Sequence, residues 1–171
     1  GNMSSIDNSI LSKSISINLF AHHYVAQQAV EIFKAQDYLE IDNKHLIGGQ
    51  LLFNISKQAL NPGKGFGSYG IAKAALIALM KQYAIEEGDC RIRCNGINAD
   101  RVRSGLLNDQ MIKSRSFARD LSEEDYMEGN LLKSEVKADD VANAFLALAS
   151  MEKTTGALLT VDGGNAAAMV R

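Results

Sequence analysis

The chain has 171 residues, 46% of them hydrophobic and only one of them proline, enough for a single domain with a real core and without a compositional sign of disorder. Its net charge of −2 gives no basic footprint for nucleic acid or an anionic membrane, so a small molecule is the default partner. No window approaches the roughly 20 apolar residues of a membrane span, and the amino terminus lacks a basic-then-apolar secretory signal, which makes cytoplasm the default location.

From about Asp7 to Gln36 apolar residues recur at helical spacing, among them Ile10, Leu11, Ile15, Phe20, Val30 and Phe33. They predict one long helix or a kinked pair, with apolar residues on more than one stripe, so that two faces need burial. Asn18 sits inside it as a weak helix former, a tolerated polar residue or a kink. His22 and His23 are adjacent, diverge on a helix and have no Cys or carboxylate at ligand spacing, so they read as surface residues and no metal is expected. The mixed, charged segment Asp37 to Leu46 reads as a helix extension or a surface loop. Gly48 and Gly49 then open an apolar run from Gln50 to Ile55 that suits a buried strand and closes on Ser56.

The loop that follows contains Gly65-Phe-Gly67-Ser-Tyr-Gly70, which formally satisfies a dinucleotide fingerprint. A true fingerprint follows its strand at once, so that pyrophosphate meets the helix amino terminus, and here Asn-Pro-Gly intervenes. These glycines read as loop punctuation. A helix is predicted from an N-cap at Ser68 to a stop near Gly88, burying Ala72, Ala75, Leu76, Leu79, Met80 and Tyr83. The segment from Arg91 to Ile97 reads as the next strand. Cys90 and Cys94 would lie on it too far apart for a disulfide, as reduced thiols. Residues 105 to 137 are charged, with a possible capping box at Ser122-Glu-Glu-Asp125. A helix starting at Asp139 or Asp140, a strand from Ala157 to Val161 and a turn at Asp162-Gly-Gly164 complete the chain.

Chemistry concentrates between Ser56 and Lys73. Tyr69 and Lys73 leave the same face of a helix one turn apart. An ammonium beside a phenol stabilises phenolate, which brings a proton donor towards working pH at a carbonyl. The hydroxyl of Ser56, at the carboxyl end of a strand, stands where open α/β sheets place their ligands.

A Ser at a strand end followed by Tyr-x-x-x-Lys on the next helix resembles the short-chain dehydrogenase/reductase superfamily. Ile17-Asn18-Leu19 is similar to that family's active-site Asn, Arg93-Cys-Asn-Gly-Ile-Asn98 to its next strand, and Thr160-Val-Asp-Gly-Gly164 to its last strand and turn. The resemblance implies catalytic roles for Tyr69, Lys73, Ser56 and Asn18. It implies cofactor contacts by Tyr69, Lys73, Val102 and Ser104, with NAD or NADP as cofactor. Where the family has Pro-Gly after the strand, this chain has Ala99-Asp100. That departure, in Asn98-Ala-Asp-Arg-Val-Arg-Ser-Gly-Leu-Leu107, together with Asn61-Pro-Gly-Lys64, is similar to the dehydrogenase part of bifunctional class II aldolase/short-chain dehydrogenases, which implies a small aldehyde or hydroxy-aldehyde substrate such as lactaldehyde.

The family's first half, with its Gly-rich turn and the acid that holds the ribose, has no counterpart between Gly1 and Ile17. The chain therefore reads as the carboxyl-terminal half of a dehydrogenase, a single unit over residues 1 to 171 with a substrate lid in 105 to 137. By itself it is expected to hold no cofactor and to turn over nothing. The expected fold is a truncated Rossmann-like α/β arrangement of about three parallel strands with flanking helices. Exposed edges and helix faces favour self-association, as a homodimer or tetramer. The competing expectation is a non-catalytic folding or assembly module that keeps these residues by ancestry alone.

Overall fold

The structure, a computed structural model, describes residues 1–41 and 45–168. A three-stranded parallel sheet in the order β3-β4-β5, formed by Gln50–Asn54, Arg93–Ala99 and Leu158–Val161, is the frame. Leu51 lies beside Cys94 and Phe53 beside Gly96, while Gly96 and Asn98 of the central strand lie beside Leu158 and Thr160. Side chains alternate across a strand, so β4 sends Cys94 and Gly96 to one face and Asn95 and Ile97 to the other. The first face is covered by α2 (Ala21–Ala35) and α3 (Gly67–Glu86), in a core built around Phe53, Leu76, Met80, Ile92 and Cys94. The second is covered by α6 (Ala138–Ser150), where Ala144 and Leu148 pack on Ile97. Burial on both faces explains why β4 carries no charged residue after Arg93. Gly96 leaves room for α3 against the sheet, because a Cβ there would stand 2.8 Å from the Met80 sulfur.

The long amino-terminal helix is the kinked alternative. α1 (Asn8–Ile15), whose first turn is capped by Asp7 accepting from the Ser9 amide at 2.7 Å, runs into α2 through a π turn at Ser16–Phe20. Asn18 lies within that turn.

Several sequence expectations need correction. Part of Asp37 to Leu46 is neither helix nor plain loop: β1 (Leu39–Ile41) and β2 (His45–Ile47) pair antiparallel, with Leu39 opposite Ile47, and residues 42 to 44 lie outside the described ones. Segments of three residues are too short for periodicity to tell strand from helix. Ser68 is not the N-cap of α3. The helix starts two residues earlier than such a cap would place it, because the Phe66 carbonyl accepts the Gly70 amide at 2.7 Å, and Ser68 is buried in its first turn.

Cys90 does not share a strand with Cys94. It ends a 3-10 turn at Gly88–Cys90, Arg91 takes a left-handed backbone (φ 58°), and β4 begins only at Arg93. Both cysteines are free, and burial pushes the Cys94 thiol up to about 12, so it is inert. Ser122 caps α5 (Glu123–Met127) by accepting from the Asp125 amide at 2.9 Å, but the Asp125 carboxylate turns to the Ser122 hydroxyl at 2.7 Å. The reciprocal half of the box is therefore absent there. The reciprocal bond occurs instead at α6, where the Lys137 amide donates to Asp140 at 2.8 Å.

Candidate active site

The carboxyl ends of β3 and β4, together with the turn beyond β5, open on one cavity of about 1110 Å³. Ser56, Tyr69, Val102 and Ser104 all line it. This is the rim where parallel α/β sheets bind their ligands, since the crossover helices fill the faces and leave the strand ends open.

Ser56 leaves β3 in an extended conformation, and its Oγ accepts the Gln58 amide at 3.3 Å to start a 3-10 turn at Lys57–Ala59. Its own O–H remains available to donate into the cavity. The Gln58 side chain accepts from the Gly63 amide at 2.6 Å and so holds the Asn-Pro-Gly loop against the turn. Gly70 lets α3 come close to this turn, for a Cβ there would sit 3.0 Å from the Gln58 carbonyl oxygen. Ser56 and Tyr69, which both line the cavity, thereby stand on elements held together by a close backbone approach.

Lys73 lies one turn further along α3 and is buried beneath the site. Its Nζ donates to the Asn54 carbonyl at 2.8 Å, at the very end of β3, and stands 5.8 Å from the centre of the Tyr69 ring. Burial pulls its pKa down to about 8. A cation in this place faces the phenol from inside the protein, with little water to screen it.

The structure brings four of the expected residues to the cavity wall and sets two behind it. Lys73 is one of those behind. The other is Asn18 in the π turn, whose side-chain amide donates back to the Ser14 carbonyl of α1 at 3.1 Å, and that turn packs on α3. π turns widen a helix and release backbone carbonyls, and they recur at functional sites. Ser104 is already engaged as an acceptor, from the Leu106 amide at 3.3 Å and the Leu107 amide at 3.1 Å, which leaves only its O–H for a ligand.

His22 and His23 are half-buried rather than free on the surface. His23 Nδ1 meets the Tyr83 hydroxyl at 2.9 Å, which ties α2 to α3. His22 Nδ1 is buried without a hydrogen-bond partner, and its pKa is lowered first by burial and then by the charge of Lys73, against the pull of the Ile17 carbonyl. Adjacent histidines on an amphipathic helix give no sign in sequence of which other helix will cover them. Asn165 was likewise unmarked. Its amide donates to Asp100 at 2.5 Å and closes the floor between the second and third strand ends. Asp100, which replaces the family's Gly, also pairs with Arg101 at 3.0 Å.

A family model described as enoyl-(acyl carrier protein) reductase matches residues 1–166. The chain belongs to the short-chain dehydrogenase/reductase superfamily. It is 29% identical over 175 residues to the uncharacterized oxidoreductase YuxG of Bacillus subtilis, across 96% of this chain but only 24% of that protein. It is 33% identical over 122 residues to (21S)-21-acetoxyl-apo-melianone synthase of Melia azedarach, across 68% of this chain and 42% of the relative. The chain thus spans less than half the length of these two relatives. Among solved structures, a short-chain dehydrogenase/reductase from Mycobacterium ulcerans superposes with a TM-score of 0.80 at 25% identity, covering 98% of this chain and 56% of that one. A 3-ketoacyl-(acyl-carrier-protein) reductase from Brucella melitensis, complexed with NADH, shares the fold with a TM-score of 0.77 at 20% identity over 97% and 62%.

Proposed function

We propose that this short-chain dehydrogenase/reductase carries the catalytic half of an NAD(P)-dependent oxidoreductase that interconverts an alcohol and a carbonyl, with small hydroxy-aldehydes as substrates. One observation carries the proposal: the Ser56 hydroxyl and the Tyr69 phenol line one cavity at the strand ends, with the Lys73 ammonium buried behind the phenol. In reduction, Tyr69 donates a proton to the carbonyl oxygen while the Ser56 O–H holds the same oxygen by a hydrogen bond. Lys73 stabilises the negative charge left on the phenol, and the π turn around Asn18 returns a proton towards Lys73. In oxidation the same groups act in reverse.

The residues present suit one end of the implied cofactor. A phenol and an ammonium can bond ribose hydroxyls, Val102 offers an apolar surface to a flat ring, and the free O–H of Ser104 can meet a carboxamide. When bound, a nicotinamide supplies or accepts the hydride. Among the described residues no strand runs directly into a Gly-rich turn and helix, the feature that would hold the pyrophosphate. Residues 105 to 137, which include α4 (Asp109–Phe117) and α5 and contribute Leu107, Met111, Arg115 and Tyr126 to the cavity wall, are assigned as the substrate lid.

The test is Tyr69→Phe in the full-length protein that contains these residues. The change removes one oxygen, so cofactor binding and the melting temperature should survive, while carbonyl reduction falls by about a hundredfold to ten-thousandfold. Near-normal turnover with normal cofactor binding would remove Tyr69 as the acid, whereas absence of turnover in the unaltered full-length protein would favour a non-catalytic assembly role.

A further inference from the structure

The cavity wall has the opposite sign to the chain. The whole sequence holds 18 basic residues and 20 acidic ones. The cavity is lined by Lys57, Lys64, Arg101, Arg115 and Arg119, against Asp100 as the one acid. Asp100 is spent on Arg101, which also donates to the carbonyls of Tyr126 and Gly129. The other four cations have no carboxylate partner among the described residues.

Two of the four are held in place rather than waving in solvent. The Arg115 guanidinium stacks 5.0 Å from the centre of the Phe66 ring, and Phe66 immediately precedes the helix that carries Tyr69. Arg119, one turn on, stacks 5.5 Å from Tyr126 and donates to the Arg115 carbonyl at 2.9 Å. A stacked guanidinium keeps its in-plane N–H groups free for an anion and loses little freedom on binding one. Lys57 follows Ser56 directly in sequence, and Lys64 lies in the loop held by Gln58. Unpaired cations focused in a cleft raise the local concentration of anions.

We propose that Arg115, supported by Lys57, Lys64 and Arg119, is an anion clamp, and that the substrate is a small hydroxy or oxo compound bearing a carboxylate or phosphate at the end remote from the reacting carbon. The clamp rests on the assignment of this cavity as the substrate site and deepens it. Arg115 binds the acid end in a bidentate manner and the lysines add charge. The hydroxyl-bearing carbon is then left towards Ser56 and Tyr69.

Calorimetry on the full-length protein, with glycerol 3-phosphate, glycerate and glycerol as probes and no cofactor added, tests this directly. The two anions are expected to bind at least tenfold more tightly than glycerol, and Arg115→Met, which keeps an apolar stem against Phe66, to abolish most of that preference. The anion that loses more identifies phosphate or carboxylate as the group held. Lys64→Met, at an exposed position, is expected to lower the preference by a smaller factor and guards against misfolding of the Arg115 variant. Anions that bind no better than glycerol, or a preference that both variants keep, overturn the clamp. So does an Arg115 variant that loses affinity for NAD+ or NADP+ but not for the anions, since the cations would then serve the cofactor. Turnover separates the two assignments: an anion preference without oxidation of any probe by either nucleotide keeps the clamp and counts against the redox function, whereas oxidation with no anion preference does the reverse.

Discussion

At the residue scale the buried ammonium of Lys73 has a consequence that can be measured. Its pKa is about 8 in the folded chain because burial disfavours the charged form, against an ordinary value near 10.5. Between these values the unfolded chain binds more protons than the folded one, so the contribution of Lys73 to stability rises with pH from about 8 to about 10.5 and is flat on either side. Cys94, raised to about 12, works in the opposite direction above its ordinary pKa of 9.0, because there the folded state keeps a proton that the unfolded state has lost. The two are separated by comparison with Lys73→Met. The stability of the wild type relative to this variant, from denaturant unfolding, is expected to climb between pH 8 and 10, and a constant difference would show that Lys73 is not desolvated. Burial, and after it the same ammonium, lowers the pKa of His22 as well.

At the element scale α3 carries both the chemistry and the core. Tyr69 stands on its first turn, while Leu76 and Met80, two and three turns further, are fully buried against the sheet. The helix cannot slide without repacking that core, and Gly70 fixes its first turn against the Ser56 turn. Leu76→Ala is therefore expected to cost about 2–5 kcal/mol, read as a lower midpoint in reversible urea unfolding. A loss below about 1 kcal/mol would mean that α3 is not the keel of the domain. The same reasoning explains why Ala74 and Ala78 contribute nothing to the core: both point outward, and their size matters only for what approaches from outside.

At the scale of the whole molecule, two faces of the helical layer remain uncovered. Val25 on α2 is 71% exposed and Ile85 on α3 is 78% exposed, and Ile10, Ile17, Phe20, Tyr24, Ile32 and Ile71 are exposed on the same helical layer. An apolar surface of this extent favours association, and a two-fold pair is the commonest closed solution. We expect light scattering at tens of micromolar to report a dimer or a larger even assembly, and a clean monomer would count against it. Among the described residues no helix is long and apolar enough to cross a membrane. The 171-residue chain alone is expected to bind NAD(H) more weakly than micromolar in calorimetry, because the described residues suit only the nicotinamide end of the cofactor. Micromolar binding would show that Tyr69, Lys73, Val102 and Ser104 suffice.

Local pattern determined the parts of this protein that depend on neighbours in sequence. The spacing of Tyr69 and Lys73 on one helical face, the apolar runs that became β3, β4 and β5, and the hydroxyl of Ser56 at a strand end are legible because a helix repeats every 3.6 residues and a strand every two. The hairpin at Leu39–Ile41 and His45–Ile47, the start of α3 at Gly67 rather than at a capping Ser68, and the separation of Cys90 from its strand were not legible. Each is decided by backbone bonds of a few residues that no periodicity reports. Contacts between distant segments were beyond the sequence altogether. Only the fold joins His23 to Tyr83, closes Asn165 on Asp100, and gathers Lys57, Lys64, Arg115 and Arg119 from a turn, a loop, a helix and the turn that follows it into one cavity. Scattered along the chain they read as ordinary surface charges, and only packing sets them together around a cavity whose one acid, Asp100, is taken by Arg101.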